Sequence, residues 1–118
     1  MFAAFVGGDP RALFEVIAPD AFWVVNGTVP VAQEYDGRQR IFELFRETRR
    51  LTGGTYRSEL RWALADDEHA AAVYRATGSR LGRTLDIDQA LLIDHVDGIW
   101  RHIVAVPSDP PAFEAFWA

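Results

Sequence analysis

An α+β fold, in which a cone-shaped, strongly curved antiparallel β-sheet packs against α-helices, is predicted by three features of the sequence. Apolar residues recur at helical spacing before residue 52, as in Ile41, Phe42, Leu44, Phe45 and Thr48. From Thr55 the period falls to two: Tyr56, Ser58, Leu60, Trp62 and Leu64 alternate with Arg57, Glu59, Arg61 and Ala63. The turn dipeptides Leu81-Gly82 and Asp97-Gly98 then divide the β-rich remainder into hairpins. Helices gathered on one side of a meandering sheet define the class.

A chain of 118 residues suits a single domain spanning 1–118. With 49% hydrophobic and 25% charged residues, its composition is that of a globular protein and not of a disordered one. The absence of cysteine excludes disulfides, thiolate metal sites and cysteine nucleophiles. All 12 basic residues are arginine, which removes Schiff-base and lysine-base chemistry. A net charge of −5 argues against a nucleic-acid partner. No stretch reaches the roughly 18 apolar residues that a membrane span needs. The apolar start, Met1 to Val6, lacks the basic flank of a signal peptide. A cytoplasmic location without membrane contact is expected.

Residues 2–6 read as the end of a helix broken at Gly7-Gly8. Asp9 can cap a second helix, Pro10 suits its first position, and Leu13, Phe14 and Ile17 form its stripe until Pro19 stops it. Ala21 to Val25 is a short strand, and 27–35 a loop. Asp36-Gly37 introduces the long helix, which Gly53-Gly54 ends. Four strands follow, over 55–64, 69–80, 84–94 and 99–106, with Asp66-Asp67-Glu68 as the first turn. Pro107 to Pro111 breaks the last strand, and Phe113, Phe116 and Trp117 form a final turn of helix.

Hairpin parity assigns side chains to faces. A two-residue turn at Asp97-Gly98 pairs Val96 with Ile99, which places Gln89, Leu91 and Ile93 on one face with Trp100, His102, Val104 and Val106. That face is the more apolar and is assigned to the interior. The Leu81-Gly82 turn adds Ala70, Ala72, Tyr74 and Ala76, whose small side chains leave space. Tyr56, Ser58, Leu60 and Trp62 join them only if the first hairpin loop has an odd number of residues. The expected pocket is apolar and aromatic with a few polar groups, as small-molecule sites are.

At this point the sequence resembles the SnoaL-like proteins of the nuclear transport factor 2 (ketosteroid isomerase-like) superfamily. The matching residues are Gly8-Asp9-Pro10, Ala18-Pro19-Asp20-Ala21-Phe22-Trp23, Tyr35-Asp36-Gly37-Arg38, Leu64-Ala65-Asp66-Asp67-Glu68-His69, Arg83 to Asp88 and Asp97-Gly98. They span nearly the whole chain and mainly set turns and caps, so they speak for fold more than for activity. The resemblance implies a cystatin-like roll and favours Trp23 over Phe22 as the inward residue. Family members have a longer first helix, and Met1 falls partway along it. By position, the base of ketosteroid isomerase falls at about Val25, its neutral aspartate at about Gln89 and its tyrosine near Met1. Steroid isomerisation by that route is therefore not expected. Nor is the Asp-Arg-Asp cluster of the superfamily's epoxide hydrolases apparent.

The expected ligand is a small, largely apolar or aromatic molecule, held by Trp23, Tyr56, Trp62, Tyr74, Gln89, Leu91, His102 and Val104. If the chain is an enzyme, the chemistry is cofactor-independent proton transfer of the isomerase, cyclase or dehydratase type. His102 would be the acid–base, its ordinary pKa near 6.5 suiting neutral pH, and Tyr74 or Gln89 would donate to an oxyanion. The alternative is a non-catalytic ligand-sensing or association domain. A buried, hydrogen-bonded histidine and a tyrosine packed on its ring are the plainer explanations of the same residues. No metal-ligand spacing, nucleophilic triad or phosphate-binding loop is present. Asp86 and Asp88 point outward by parity. Homodimerisation through the outer sheet face, expected to carry Leu92, Ile103 and Ala105 among its charges, fits both readings.

Overall fold

The computed structural model describes residues 15–118. Strands β1 (Ile17–Val25) and β2 (Glu34–Asp36) precede helix α1 (Arg38–Leu51). Strands β3 (Arg57–Ala65), β4 (His69–Arg80), β5 (Arg83–Val96) and β6 (Ile99–Pro107) follow, and helix α2 (Pro110–Trp117) ends the chain. They form one six-stranded sheet in the order β2-β1-β6-β5-β4-β3, curved but not closed. All neighbours are antiparallel except β1 and β6, which run parallel. The expected helix end over 2–6 and the expected second helix as far as residue 14 lie outside the described residues; residues 15–16 are helical, but Ile17, expected in that helix's stripe, opens a strand. The strand expected at Ala21 begins earlier, at Ile17, so Pro19 lies within β1 and not at the end of a helix. It sits between Ile17 and Phe22, where the register with β6 is irregular and a missing N–H costs no ladder bond. The expected loop 27–35 contributes the short edge strand β2.

The hairpins form where the turn residues demand. Leu81 and Gly82 take φ of 52° and 75°, and Asp97 and Gly98 take 51° and 81°. Both positive values in a two-residue loop match the right-handed twist of the flanking strands. Asp66 organises the β3–β4 turn by accepting from the backbone N–H of Glu68 at 2.9 Å and of His69 at 2.6 Å. Those two bonds hold its carboxyl below the usual carboxylate range. The stabilisation is therefore complete above the unfolded value near 3.8 and is lost as pH falls through the lower folded value. Amide exchange at Glu68 and His69 is expected to quicken, relative to the neighbouring strand amides, only in that acid window. Protection unchanged to about pH 2 would refute it.

Helix α1 buries Ile41 and Leu44 against the sheet, with Phe45 edge-on to Trp23 at 5.3 Å between ring centroids. Its N-terminus follows Gly37, whose φ of 89° suits glycine and whose N–H donates to the Ala21 carbonyl at 2.7 Å. Arg49 and Arg50 sit in its last turn, where the helix dipole favours cations. Helix α2 begins with the Asp109 side chain accepting from the Ala112 N–H and buries Phe113, Phe116 and Trp117. At its far end the guanidinium groups of Arg80 and Arg83 donate to the carbonyls of Phe116 and Ala118. The core lies between these helices and the inner sheet face, around Trp100, Leu91 and Ile103.

Two β-bulges decide which side chains reach that core. In β3, Leu60 pairs with Tyr74 but Trp62 pairs with Val73, leaving Arg61 as the extra residue. In β6, Trp100 pairs with His95 but His102 pairs with Asp94, leaving Arg101 extra. Each extra residue reverses the in–out alternation beyond it. Ser58 and Leu60 therefore share the inner face with Tyr74, while Trp62 and Leu64 turn outward. On β6, Ile103 and Ala105 turn inward, and His102, Val104 and Val106 turn outward. These are corrections to simple parity for Trp62, His102, Val104, Ile103 and Ala105.

Candidate functional site

The inner face is apolar apart from one hydrogen-bonded group. Tyr74 on β4 and Gln89 on β5 are directly paired across the strands. The Tyr74 hydroxyl donates to Gln89 Oε1 at 2.6 Å. Both are buried, with 3% and 6% of their surface accessible. Tyr56, just before β3, reaches the same place, its hydroxyl close enough to those of Tyr74 and Ser58 for their electrostatics to be coupled. Its ring lies against Trp117, 6.1 Å between centroids. Ala72 and Ala76 flank Tyr74 on β4, and Ile87 and Leu91 flank Gln89 on β5, all buried.

The electrostatics follow from burial. Desolvation pushes the Tyr56 hydroxyl above its ordinary pKa, partly offset by the neighbouring Tyr74 and Ser58 hydroxyls. Desolvation, with Tyr56 beside it, pushes Tyr74 well above its ordinary value. Both tyrosines therefore keep their protons through neutral pH and act as donors, not bases. The Tyr74–Gln89 bond fixes the Gln89 amide, since Oε1 accepts and Nε2 is left as the donor. Among the described residues, Nε2 makes no hydrogen bond. This arrangement can hold a neutral acceptor or a developing oxyanion.

The structure brings Trp23, Tyr56, Tyr74, Gln89 and Leu91 of the expected set to the interior. Trp23 and Leu91 are buried, at 3% and 0% accessible. It does not bring His102, Trp62 or Val104 there. His102 lies on the outer face with 47% of its side chain exposed, its Nδ1 3.5 Å from Asp94 Oδ2 and its ring 5.4 Å from that of Phe22. An inward acid–base role for His102 is thereby overturned, because the Arg101 bulge points it to solvent. Asp86 and Asp88 do face outward, paired with Arg75 at 2.7 Å and Arg61 at 2.6 Å. Two groups escaped the sequence reading. Tyr35 is buried beneath Trp23 and donates to the Val31 carbonyl at 2.8 Å. The outer face carries a groove of about 580 Å³ over Ala71 and Leu92, walled by Leu64 and Val104, with His69, Asp94 and His102 at one end. The cross-strand register of His69, Asp94 and His102 was the available signal, but the bulge concealed it.

Among the described residues no three His, Asp or Glu are arranged to hold a metal ion. No helix among them is long and apolar enough to cross a membrane.

Comparison with known proteins adds a family to this geometry. Residues 1–103 match the model of the SnoaL-like domain. The chain belongs to the SnoaL-like domain family. The uncharacterised protein Rv0034 of Mycobacterium tuberculosis is 33% identical over 118 residues, covering 99% of this chain and 90% of that one. Among solved structures, Bal32a from a soil-derived mobile gene cassette is similar at 30% identity and a TM-score of 0.92, covering 99% of this chain and 90% of its own. TerC, co-crystallised with polyporic acid, is similar at 19% identity and a TM-score of 0.81, covering 98% and 90%. A structure of the SnoaL-like polyketide cyclase type from Jannaschia sp. CCS1 has 14% identity and a TM-score of 0.77, covering 99% and 88%. At such low identities the last two likenesses show shared fold alone. The SnoaL-like chain described here thus has polyketide cyclase-like structural neighbours.

Proposed function

We propose that this SnoaL-like chain binds a small, largely apolar molecule bearing an uncharged hydrogen-bond acceptor, such as a carbonyl, on its inner sheet face. The observation that carries this is the Gln89 amide. Its carbonyl half is satisfied by Tyr74, while Nε2 has no partner among the described residues and remains available as a donor. A ligand acceptor would satisfy it. Among the described residues, Thr52 and Gln89 are the buried polar ones besides the tyrosines and no cation is with them, so an anion would gain little there. Trp23 and Leu91 supply apolar contact area, and the neighbouring alanines limit crowding.

Binding, and not proton transfer, is the reading these groups support, because the tyrosines remain protonated and His102 faces away. TerC's co-crystallised polyporic acid is in keeping with an organic molecule as ligand on this fold.

Three naphthalene probes test it by calorimetry: acetylnaphthalene, ethylnaphthalene and naphthoate. The ketone is expected to bind roughly tenfold more tightly than the hydrocarbon, the worth of about one net hydrogen bond. Gln89→Leu is expected to abolish that preference while leaving hydrocarbon binding in place. Equal binding of ketone and hydrocarbon, preferred binding of naphthoate, or no binding of any probe would overturn the proposal.

A further inference from the structure

We infer that the inner-face ligand carries a hydrogen-bond donor, such as a phenolic hydroxyl, at the end opposite its acceptor, and that Glu114 of α2 receives it through Oε2. This rests on the inner-face reading above and adds a second polar contact to it.

Glu114 is the one charged residue of α2, whose other members are proline, alanine and aromatic residues. Its two carboxylate oxygens differ. Oε1 accepts from the backbone N–H of Thr28 at 2.7 Å, which ties the loop after β1 to the helix. Oε2 is buried from solvent and has no hydrogen-bond partner among the described residues. Anchoring the loop accounts for one oxygen and leaves the other open. A carboxylate oxygen withdrawn from water needs a donor more than a neutral acceptor does, so this one points to a group supplied from outside the chain.

Three relations set this carboxylate near the Tyr74–Gln89 pair. The Asn26 N–H donates to the Ala105 carbonyl at 3.2 Å, which continues the β1–β6 pairing past Val25. Pro107 of β6 pairs with Gln89, so residue 27 comes level with both, two strand spacings or about 10 Å from Gln89. Residue 27 is a glycine with φ of 143°, and a Cβ there would meet Glu114 Oε1 at 2.9 Å and the Phe113 ring at 3.2 Å. The carboxylate thus occupies the space that a side chain at this position would enter. From the helix side, Trp117 lies against Tyr56 and follows Glu114 by three residues, about 4.5 Å along the axis.

The charge fits the same ligand. A carboxylate makes the bond from an O–H donor charge-assisted, roughly twice as strong as one between neutral groups. It also repels an anion, in keeping with a neutral ligand. Gln89 Nε2 donates at one end and Glu114 Oε2 accepts at the other, with the buried Leu91 and Ala105 as apolar floor beside them. A flat two-ring skeleton with oxygens at opposite ends has the matching order of acceptor and donor. Turned end for end, it would set its carbonyl against a carboxylate, so the two contacts together fix which way round the ligand lies.

The test is calorimetry on the full chain with acetylnaphthalene and its hydroxy and methoxy derivatives, each substituted at the ring position farthest from the acetyl group. The hydroxy ketone is expected to bind about tenfold more tightly than the plain ketone, and the methoxy ketone, which has no donor, no more tightly than the plain one. Glu114→Gln keeps an oxygen for the Thr28 N–H and turns the open atom into a donor. It is expected to retain the wild-type far-ultraviolet circular dichroism and to bind hydroxy and methoxy ketones alike. It should keep the preference for ketone over ethylnaphthalene, which Gln89 sets. No gain from the hydroxyl, an equal gain from methoxy, or a hydroxyl preference that survives Glu114→Gln overturns the inference. If the wild type prefers ketone over ethylnaphthalene while the hydroxyl adds nothing, this inference fails alone. If that ketone preference is itself absent, the inner-face reading fails and this one with it.

Discussion

Trp100→Ala is expected to destabilise the fold by about 3–5 kcal/mol, the range for emptying a fully buried tryptophan site. Trp100 has 0% of its surface exposed and faces the core from β6, one residue before the Arg101 bulge. It pairs with His95 of β5 on one side and is in register with Ile17 of β1 on the other. Its ring therefore supports the place where three strands meet and where regular pairing is already interrupted, so neighbouring atoms have few ways to collapse into the space. A domain of this size has about 5–15 kcal/mol in hand, and the variant is expected to fall near the lower limit of foldability. Urea unfolding measures the change. A loss under about 1 kcal/mol, typical of surface positions, would mean that the ring is not integral to the core.

The second large effect concerns the Tyr74–Gln89 pair. Tyr74→Phe removes the hydroxyl that satisfies Gln89 Oε1, at an expected cost of about 1–3 kcal/mol. Gln89→Leu strands the Tyr74 hydroxyl and is expected to cost a similar amount. The double variant removes donor and acceptor together, leaving less unsatisfied polarity than the sum of the two single changes. Its cost is expected to fall short of additivity by about 0.5–3 kcal/mol, the range for directly coupled residues. Additivity to within a few tenths of a kcal/mol would show that the two side chains act independently and that the 2.6 Å bond carries no net energy.

Local chemistry made most of the fold readable in the sequence. Alternation and turn dipeptides placed β4 at its observed ends, and β5 and β6 nearly so, because two-residue turns with positive φ leave little choice of register. Gly37 and Gly53 bracketed α1 for equally local reasons. Tyr74 and Gln89 were placed on the inner face correctly because the β4–β5 hairpin is regular throughout and parity survives along it. His102, Val104 and Trp62 were misplaced because a bulge is a tertiary event. Nothing in the residues Arg61 or Arg101 announces that the partner strand will skip them. Pro19 read as a helix stop for a related reason, since its tolerance in β1 depends on an irregularity in pairing with a strand some eighty positions away.

That distant pairing also bears on how the molecule is made. Chains leave the ribosome N-terminus first, so β1 emerges before the other strands of this sheet. Its main neighbour is β6, which ends at Pro107, and on the other side it touches only the three residues of β2. The β3–β6 meander can pair by successive hairpins as it leaves the exit tunnel, each strand finding the one made just before it. β1, by contrast, must wait, with its β6-facing edge unpaired, until the whole meander has been translated. The parallel seam between β1 and β6 thus makes completion of the sheet wait for β6, and gives the nascent chain an interval in which β1 has only β2 and α1 to hold.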